Sequence, residues 1–420
     1  ARSYGPGRYD RNYEEFGIDL PPGYVRWTEG RNLQAILSLI SRERVSVIDL
    51  VTKTYRLDSA EAAYASFISD TPPLGVQFTY EAPAEVGPRT SYYQATRRSR
   101  RRTGELSAGI IGAGTYARVT LLPALQEAGW PRPVAITSAT GLNAKTLAAK
   151  YGIPTVAADA DALIDDPNVS VVFILSRHDS HADLAEKALL AGKDIFVEKP
   201  IALSWEELER VERAQRESGR ILWAGFNRRY SEAVQRAKQI FAETSAPVVA
   251  TYRINAGALP DSHWYNDRRQ GGRLLGEVGH FVDTISWILE GSPQAVTAYG
   301  DGRGEALLQE NLTLALRYPG GSTASIAYAA GGSPRTSKER LELLGGNHTI
   351  VIDDYKTLSV DGKKVRIHSP GKGHVASLRL MAEALKGAHD PLPSLVTSLE
   401  TSRLLLEATQ TLRESGLTHD

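Results

Sequence analysis

The stretch DIFVEKP, residues 194–200, ends an apolar run on a glutamate, a lysine and a proline. Proline disfavours helix at the residue before it, so Lys199 is expected to be extended at a chain reversal, where its amine can point into a cleft. There it could polarise an oxygen or exchange a proton, provided burial or a nearby cation lowers its pKa; the alternative is an unemployed surface lysine. A second pattern, GAGTYA at residues 112–117, follows the apolar run AGII directly. In a G-x-G-x-x-A loop the first glycine permits a tight turn, the second lets backbone approach a pyrophosphate, and a small last residue lets helix and strand pack closely. Gly112, Gly114, Thr115, Tyr116 and Ala117 are therefore candidate cofactor contacts, with the helix amino terminus facing the phosphates. The next strand, VAITSATG, carries no acid to hold an adenine ribose. That task falls to Ser138 or Thr140, and the cofactor is left open as NAD or NADP. The cluster HDSH, with His178 and His181, has no second group of carboxylates or cysteines to complete a metal site, so no metal is expected.

These residues need a scaffold. Apolar runs AGII, VAIT, VVFIL and DIFV alternate with helical stretches NAKTLAAKYG and HADLAEKALLAG, which predicts a parallel sheet covered by helices, with ligands at the strands' carboxyl ends. Ser204 and Glu207 form a capping-box pattern opening a helix to about Ser218, and ILWAGF follows as a further strand. Beyond Phe226 the strands VVATYRINA, AVTAYGD, NLTLALRYP and STASIAYAA alternate apolar with polar residues. They predict an antiparallel sheet with one face free for a second layer or a partner subunit. The fold class is thus α/β: a helix-covered parallel sheet with a dinucleotide loop, followed by an antiparallel sheet in a second domain or against a partner subunit.

The chain has 420 residues, which suggests two to four domains. Forty-nine basic residues balance forty-nine acidic ones, so overall charge favours neither nucleic acid nor an anionic membrane, and a small molecule is the default partner. The absence of cysteine fits the cytosol. No apolar run approaches the ~20 residues that span a bilayer. The single methionine is Met381, so the chain reads as processed, trimmed or part of something longer. Residues 97–102, arginines with one serine, read as a solvated linker. Before it, NLQAILSLI reads as helix, VSVIDLVTKTY as strand and SAEAAYASFI as helix. The expected domains are a leading segment 1–95, a basic linker 96–104, a dinucleotide-binding domain 105–226 and a substrate and oligomerisation domain 227–420.

Two resemblances add to this. SYGPGRYD, GYVRWTEGRN and LISRERVSVIDLVTKTYRLDSAEAAYASF resemble the carboxyl-terminal end of medium-chain alcohol dehydrogenases, without that family's glycine-rich loop or zinc-ligand cysteines. The leading segment is then a remnant or docking module. With the glycine loop, EKP, GFNRRY and GGRLLGEVGHFVD in order, residues 105–420 resemble the Gfo/Idh/MocA family of NAD(P)-dependent oxidoreductases. That resemblance implies an amino-terminal Rossmann domain, a carboxyl-terminal α/β domain with a large, mostly antiparallel open sheet, and hydride exchange between nicotinamide and a sugar, cyclitol or related alcohol carbon. The open sheet face points to a homo-oligomer, and the absence of cysteine to a cytoplasmic location. The resemblance makes Lys199 the family's EKP lysine and His280 its catalytic histidine. Lys199 would polarise the substrate oxygen and His280 would exchange the proton. Ser176, His178, His181, Glu198 and Lys199 fall on the cofactor side. Asn227, Arg228, His263, Trp264, Glu277 and Asp283 are the candidate substrate contacts. Two departures stand out: the family's aspartate four residues before the histidine is Gly276 here, with Glu277 next door, and its proline and asparagine after the fourth strand are Arg177 and His178. A dinucleotide-binding sensor or scaffold and an NAD-dependent glycosidase are the competing functions.

Overall fold

The computed structural model describes residues 106–416 except 245, 261 and 302–307, residues 20–21, 24–42 and 44–79, and residues 6, 7, 10, 13, 90 and 91. The basic stretch at 96–104 lies outside them. Backbone contacts divide the chain into two compact units, Ala1–Gly87 and Pro88–Asp420.

In the first unit the helix Glu29–Ser41 forms on NLQAILSLI, and a second helix, Ala60–Ser66, on SAEAAYASFI. The expected strand in VSVIDLVTKTY starts late: Ile48–Leu50 is a 3₁₀ turn, and only β1, Lys53–Arg56, pairs, in parallel with β2, Val76–Thr79. Val45, Val47 and Ile48 are exposed; alternation alone makes no strand where no neighbour completes the ladder.

The second unit begins with a sheet of β3 (Thr90–Ser91), β4 (Ala108–Ile111), β5 (Ala135–Thr137), β6 (Thr155–Ala157), β7 (Val171–Ile174), β8 (Asp194–Val197) and β9 (Leu222–Ala224). Its order is β3-β6-β5-β4-β7-β8-β9, parallel throughout except for β3, which pairs antiparallel with β6. Strands β4 and β7 are buried along their whole length, as expected of apolar runs covered by helices on both faces. Chain order reverses between β4 and β7, and this is where such sheets bind dinucleotides. The helix Trp205–Ser218 starts as its capping residues dictate: Ser204 Oγ accepts from Glu207 N at 3.1 Å, while Glu207 reaches back to Leu203 N at 2.7 Å, one residue before the cap.

The second sheet comprises β10 (Val249–Asn255), β11 (Ala295–Gly300), β12 (Leu312–Arg317), β13 (Thr323–Ala329), β14 (Glu339–Gly345), β15 (His348–Asp353), β16 (Thr357–Val360) and β17 (Lys363–Val365). It runs β11-β12-β13-β10-β14-β15-β16-β17, antiparallel except for the β10–β13 pair. Burial alternates strictly along β12 and β13, so one face packs inward and the other is open. The inward face lies against the helix Gly279–Ile288, which is buried at every residue but Trp287. The chain then returns to the first sheet: Trp130 Nε1 donates to Leu378 O at 2.8 Å and Trp223 Nε1 to Ser377 Oγ at 3.0 Å. The helix His374–Leu385 thus packs on the nucleotide-binding layer although it lies late in the sequence.

Candidate active site

Three strand ends deliver the site. After β4, Gly112 has φ +106°, and a Cβ there would stand 2.5 Å from Leu175 O, so the turn requires glycine. Gly114 faces open space, with nothing within 4 Å of a Cβ; backbone is left bare at the start of the helical stretch 115–127. After β5, Ser138 Oγ is buried without a partner, an unusual state for a hydroxyl. A bare glycine turn at a helix start and an orphaned hydroxyl where a ribose would be read both fit a dinucleotide. Burial pushes the Tyr116 phenol well above its ordinary pKa, and the nearby Glu198 carboxylate adds to the rise.

After β7 and β8 come Ser176 to His178, and Glu198 with Lys199. Glu198 Oε1 is buried without a partner, and Gly225 leaves room for it: a Cβ there would lie 2.7 Å from that oxygen. Burial pushes the Glu198 carboxyl up, against the pull of Lys199 and Tyr116. Lys199 Nζ donates to the carbonyl of Gly276, and burial raises the Tyr265 phenol's pKa against the pull of the Lys199 charge. That charge is felt by His178, Glu198, Tyr265, Glu277 and His280 alike.

The histidines divide by role. His178 Nδ1 donates to Gln270 O at 2.7 Å, which leaves Nε2 with the lone pair. Burial, with Lys199, His181 and Arg177 nearby, takes its pKa down to about 3. Its ring packs edge-on to Trp264 at 4.7 Å, and Arg177 stacks over that indole at 4.4 Å. His181, almost fully buried, lies between Pro200 O at 2.8 Å and Ser176 O at 3.2 Å. A neutral imidazole has one N–H, and the shorter contact takes it. Through that bond His181 ties the start of its helix to the Lys199–Pro200 turn, while Nε2 faces the Ser176 carbonyl with its lone pair. His280 is buried against Phe226, and its Nδ1 has no partner. Burial first, then Arg228, Lys199, Lys372 and His374, holds it well below the ordinary imidazole range, so it is a neutral base.

Of the substrate-side candidates, Glu277 accepts from Tyr328 at 2.6 Å. Burial works against its ionisation, but Lys199, the Tyr328 hydroxyl, Lys338 and Arg273 outweigh that and hold the carboxylate ionised. His263 accepts from Tyr265 N at 3.2 Å and lies beside Trp264. Asn227 is committed to Lys372 O at 2.7 Å. Arg228 is bidentate on buried Glu339, both bonds at 2.8 Å, and Lys372 joins the same carboxylate; it acts on His280 through its field. Asp283, fully buried, is consumed by Arg229, itself buried. Both its oxygens are engaged by that guanidinium, which must be paired when buried. Tyr265 was not among the residues singled out from sequence; only its place beside Trp264 in DSHWYND could have pointed to it. Among the described residues no group of three His, Asp or Glu is placed to hold a metal ion, and no helix is long and apolar enough to cross a membrane.

Comparison with known proteins now bears on this geometry. Residues 106–226 match the oxidoreductase family model with an NAD-binding Rossmann fold, and residues 234–351 match the GFO/IDH/MocA carboxyl-terminal domain. The chain belongs to the Gfo/Idh/MocA oxidoreductase family. These two domains make it an oxidoreductase with an NAD-binding Rossmann fold. It is similar to 1,5-anhydro-D-fructose reductase from Ensifer adhaerens, 26% identical over 51% of this chain and 67% of that one. It is also similar to inositol 2-dehydrogenase from Salmonella typhimurium, 29% identical over 46% of this chain and 57% of the relative. The matches therefore span about two thirds or less of these relatives. In fold it resembles the aldose-aldose oxidoreductase of Caulobacter crescentus solved with glycerol, with TM-score 0.66 and 22% identity over 74% of this chain and 98% of that one.

Proposed function

We propose that this oxidoreductase interconverts an alcohol and a ketone on a sugar, a cyclitol or a closely related polyol derivative. Gly112, Gly114, Thr115, Tyr116 and Ala117 would hold the pyrophosphate, Ser138 the adenine ribose, and Ser176, His178 and Glu198 the nicotinamide end. The bound nicotinamide would supply hydride exchange. Lys199 fixes and polarises the substrate oxygen. His280, neutral and surrounded by cations, takes the hydroxyl proton as hydride leaves carbon and returns it in the reverse direction. Trp264 offers an apolar face to a sugar ring, with His263 and Glu277 beside it for hydroxyls.

The observations that support this reading most are Lys199 Nζ donating to the Gly276 carbonyl, four residues before His280, and a His280 ring nitrogen buried without a partner. The named activities of the relatives, on 1,5-anhydro-D-fructose and inositol, support the substrate class. The test is a turnover screen of NAD and NADP against sugars, cyclitols and nucleotide sugars, repeated with Lys199→Ala. Net formation or loss of NAD(P)H that disappears in the variant, with cofactor binding retained, supports it. Glycosidic cleavage without net NAD(P)H change would favour a glycosidase, and cofactor binding without either, a sensor. The open face of the β10–β17 sheet is read as a homo-oligomer interface, and the leading unit as a dehydrogenase-like remnant or docking module.

A further inference from the structure

Gly276 is not a backbone necessity. It lies in the π-helical turn Leu274–Val278 and has no positive φ, so other residues suit its conformation. Space excludes them. A Cβ at 276 would stand 2.9 Å from His178 Cε1 and 3.3 Å from Tyr265 Cζ, the first closer than real Cβ atoms come. Neither ring can yield cheaply. His178 is pinned to Gln270 O and packed on Trp264, and its ring centre lies 5.4 Å from that of Tyr265. Tyr265 is buried, with 9% of its surface exposed, and packs on His263 and Trp264. A carboxylate four residues before His280 is thus shut out by packing. Lys199 instead reaches the carbonyl of the bare glycine, and the Tyr265 ring lies against the same residue.

We propose that Tyr265 is a catalytic residue, forming with Lys199 a two-donor clamp on the reacting oxygen beside Gly276. This rests on the alcohol–ketone reading above. In that clamp the ammonium and the phenol O–H each donate to the substrate oxygen. Burial raises the phenol's pKa, against the opposing pull of Lys199, so Tyr265 keeps its proton and serves as a donor only. Negative charge grows on the oxygen as hydride moves, and two preoriented donors stabilise it. No proton leaves Tyr265 in the cycle; the substrate's proton goes to His280.

The experiment compares the unmodified chain with Tyr265→Phe, using NAD and NADP with myo-inositol, D-glucose and 1,5-anhydro-D-glucitol, alongside NAD(P)H fluorescence titration and thermal melting. Loss of one such donor is expected to lower kcat about 10²-fold while cofactor affinity and melting temperature hold. A kcat within threefold of the parent overturns the assignment and leaves the function intact. If Tyr265→Phe melts early, 2,3-difluorotyrosine placed at 265 keeps the ring and changes only the donor's acidity: a changed kcat supports the clamp, an unchanged one overturns it. No turnover by the unmodified chain withdraws both the function and the clamp.

Discussion

His280 carries the strongest demand at the level of single residues. A buried imidazole among Arg228, Lys199, Lys372 and His374 takes a proton only at strong energetic cost, so it stays neutral where a free histidine would titrate. His280→Asn removes the proton acceptor and keeps a polar side chain in place. It is expected to lower kcat by about 10²–10⁴-fold with NAD(P)H affinity unchanged, as measured by steady-state kinetics and fluorescence titration. The sign of the pH effect follows from the depressed pKa: protonation of His280 sets in well below the ordinary value, so kcat/KM should show no acid limb at about 6.5. A limb there in a pH–rate profile would show that another group, or an unshifted His280, controls the reaction. Arg228 and Arg229 are adjacent yet serve different partners, Glu339 and Asp283. The first supplies field near the site, and the second fastens the helix that bears His280.

At the level of elements, the glycine loop separates two kinds of constraint. Gly112 is required by the fold: its φ is positive and a Cβ would strike the Leu175 carbonyl. Gly114 is surrounded by nothing within 4 Å, so the protein itself does not need glycine there. Gly112→Ala is expected to lower the melting temperature by several degrees and to weaken NAD(P)H binding. Gly114→Ala is expected to melt like the parent while losing at least tenfold in NAD(P)H affinity, because only the approach of a pyrophosphate demands the missing Cβ. Calorimetry and fluorescence titration of the two variants read these outcomes separately. Equal affinity for Gly114→Ala and parent would remove the pyrophosphate from this loop. The loop itself was legible in sequence, since its spacing and its place after AGII are local facts. The glycine at 276 was visible only as a departure, because the rings that exclude a side chain come from His178 and Tyr265 on other segments.

For the molecule as a whole, stability must depend on pH through its buried histidines. His178 is held to about 3 and His374 to about 4, each first by burial and then by nearby cations, and His181 and His280 are also lowered. Below about 6.5 the unfolded chain binds protons that the folded one refuses, so stability falls as pH falls through that window, by up to about 1.4 kcal/mol per pH unit for each such group. Glu339, held at about 2 by Arg228 and Lys372 despite burial, adds loss in the same direction once pH drops below the usual carboxylate range. Urea unfolding at pH 7.5, 6 and 5 should show the midpoint dropping steadily, and a flat midpoint would contradict neutral burial of these rings. The open sheet face makes a further demand. It exposes Val249, Tyr299 and Leu344, and Val249→Glu with Tyr299→Glu should shift the mass measured by light scattering from oligomer to monomer. An unmodified chain that is already monomeric would dismiss that interface.

Sequence alone determined what depends on near neighbours. Alternation of apolar runs and helices fixed the parallel sheet, the capping pair at Ser204 and Glu207 fixed a helix start, and strict period-two burial in NLTLALRYP and STASIAYAA marked a sheet with one open face. Each of these signals lies within a dozen residues, where propensity and periodicity act. Tertiary structure decided which polar groups are free for chemistry. Asp283 is spent on Arg229, 54 residues earlier in the chain, and Arg228 on Glu339, 111 residues later. The ring nitrogens of His181 face backbone carbonyls, while Lys199 and Tyr265 both lie against a bare glycine. A buried charge or hydroxyl takes whatever partner the fold brings within about 3 Å, and no spacing along the chain records which partner that will be.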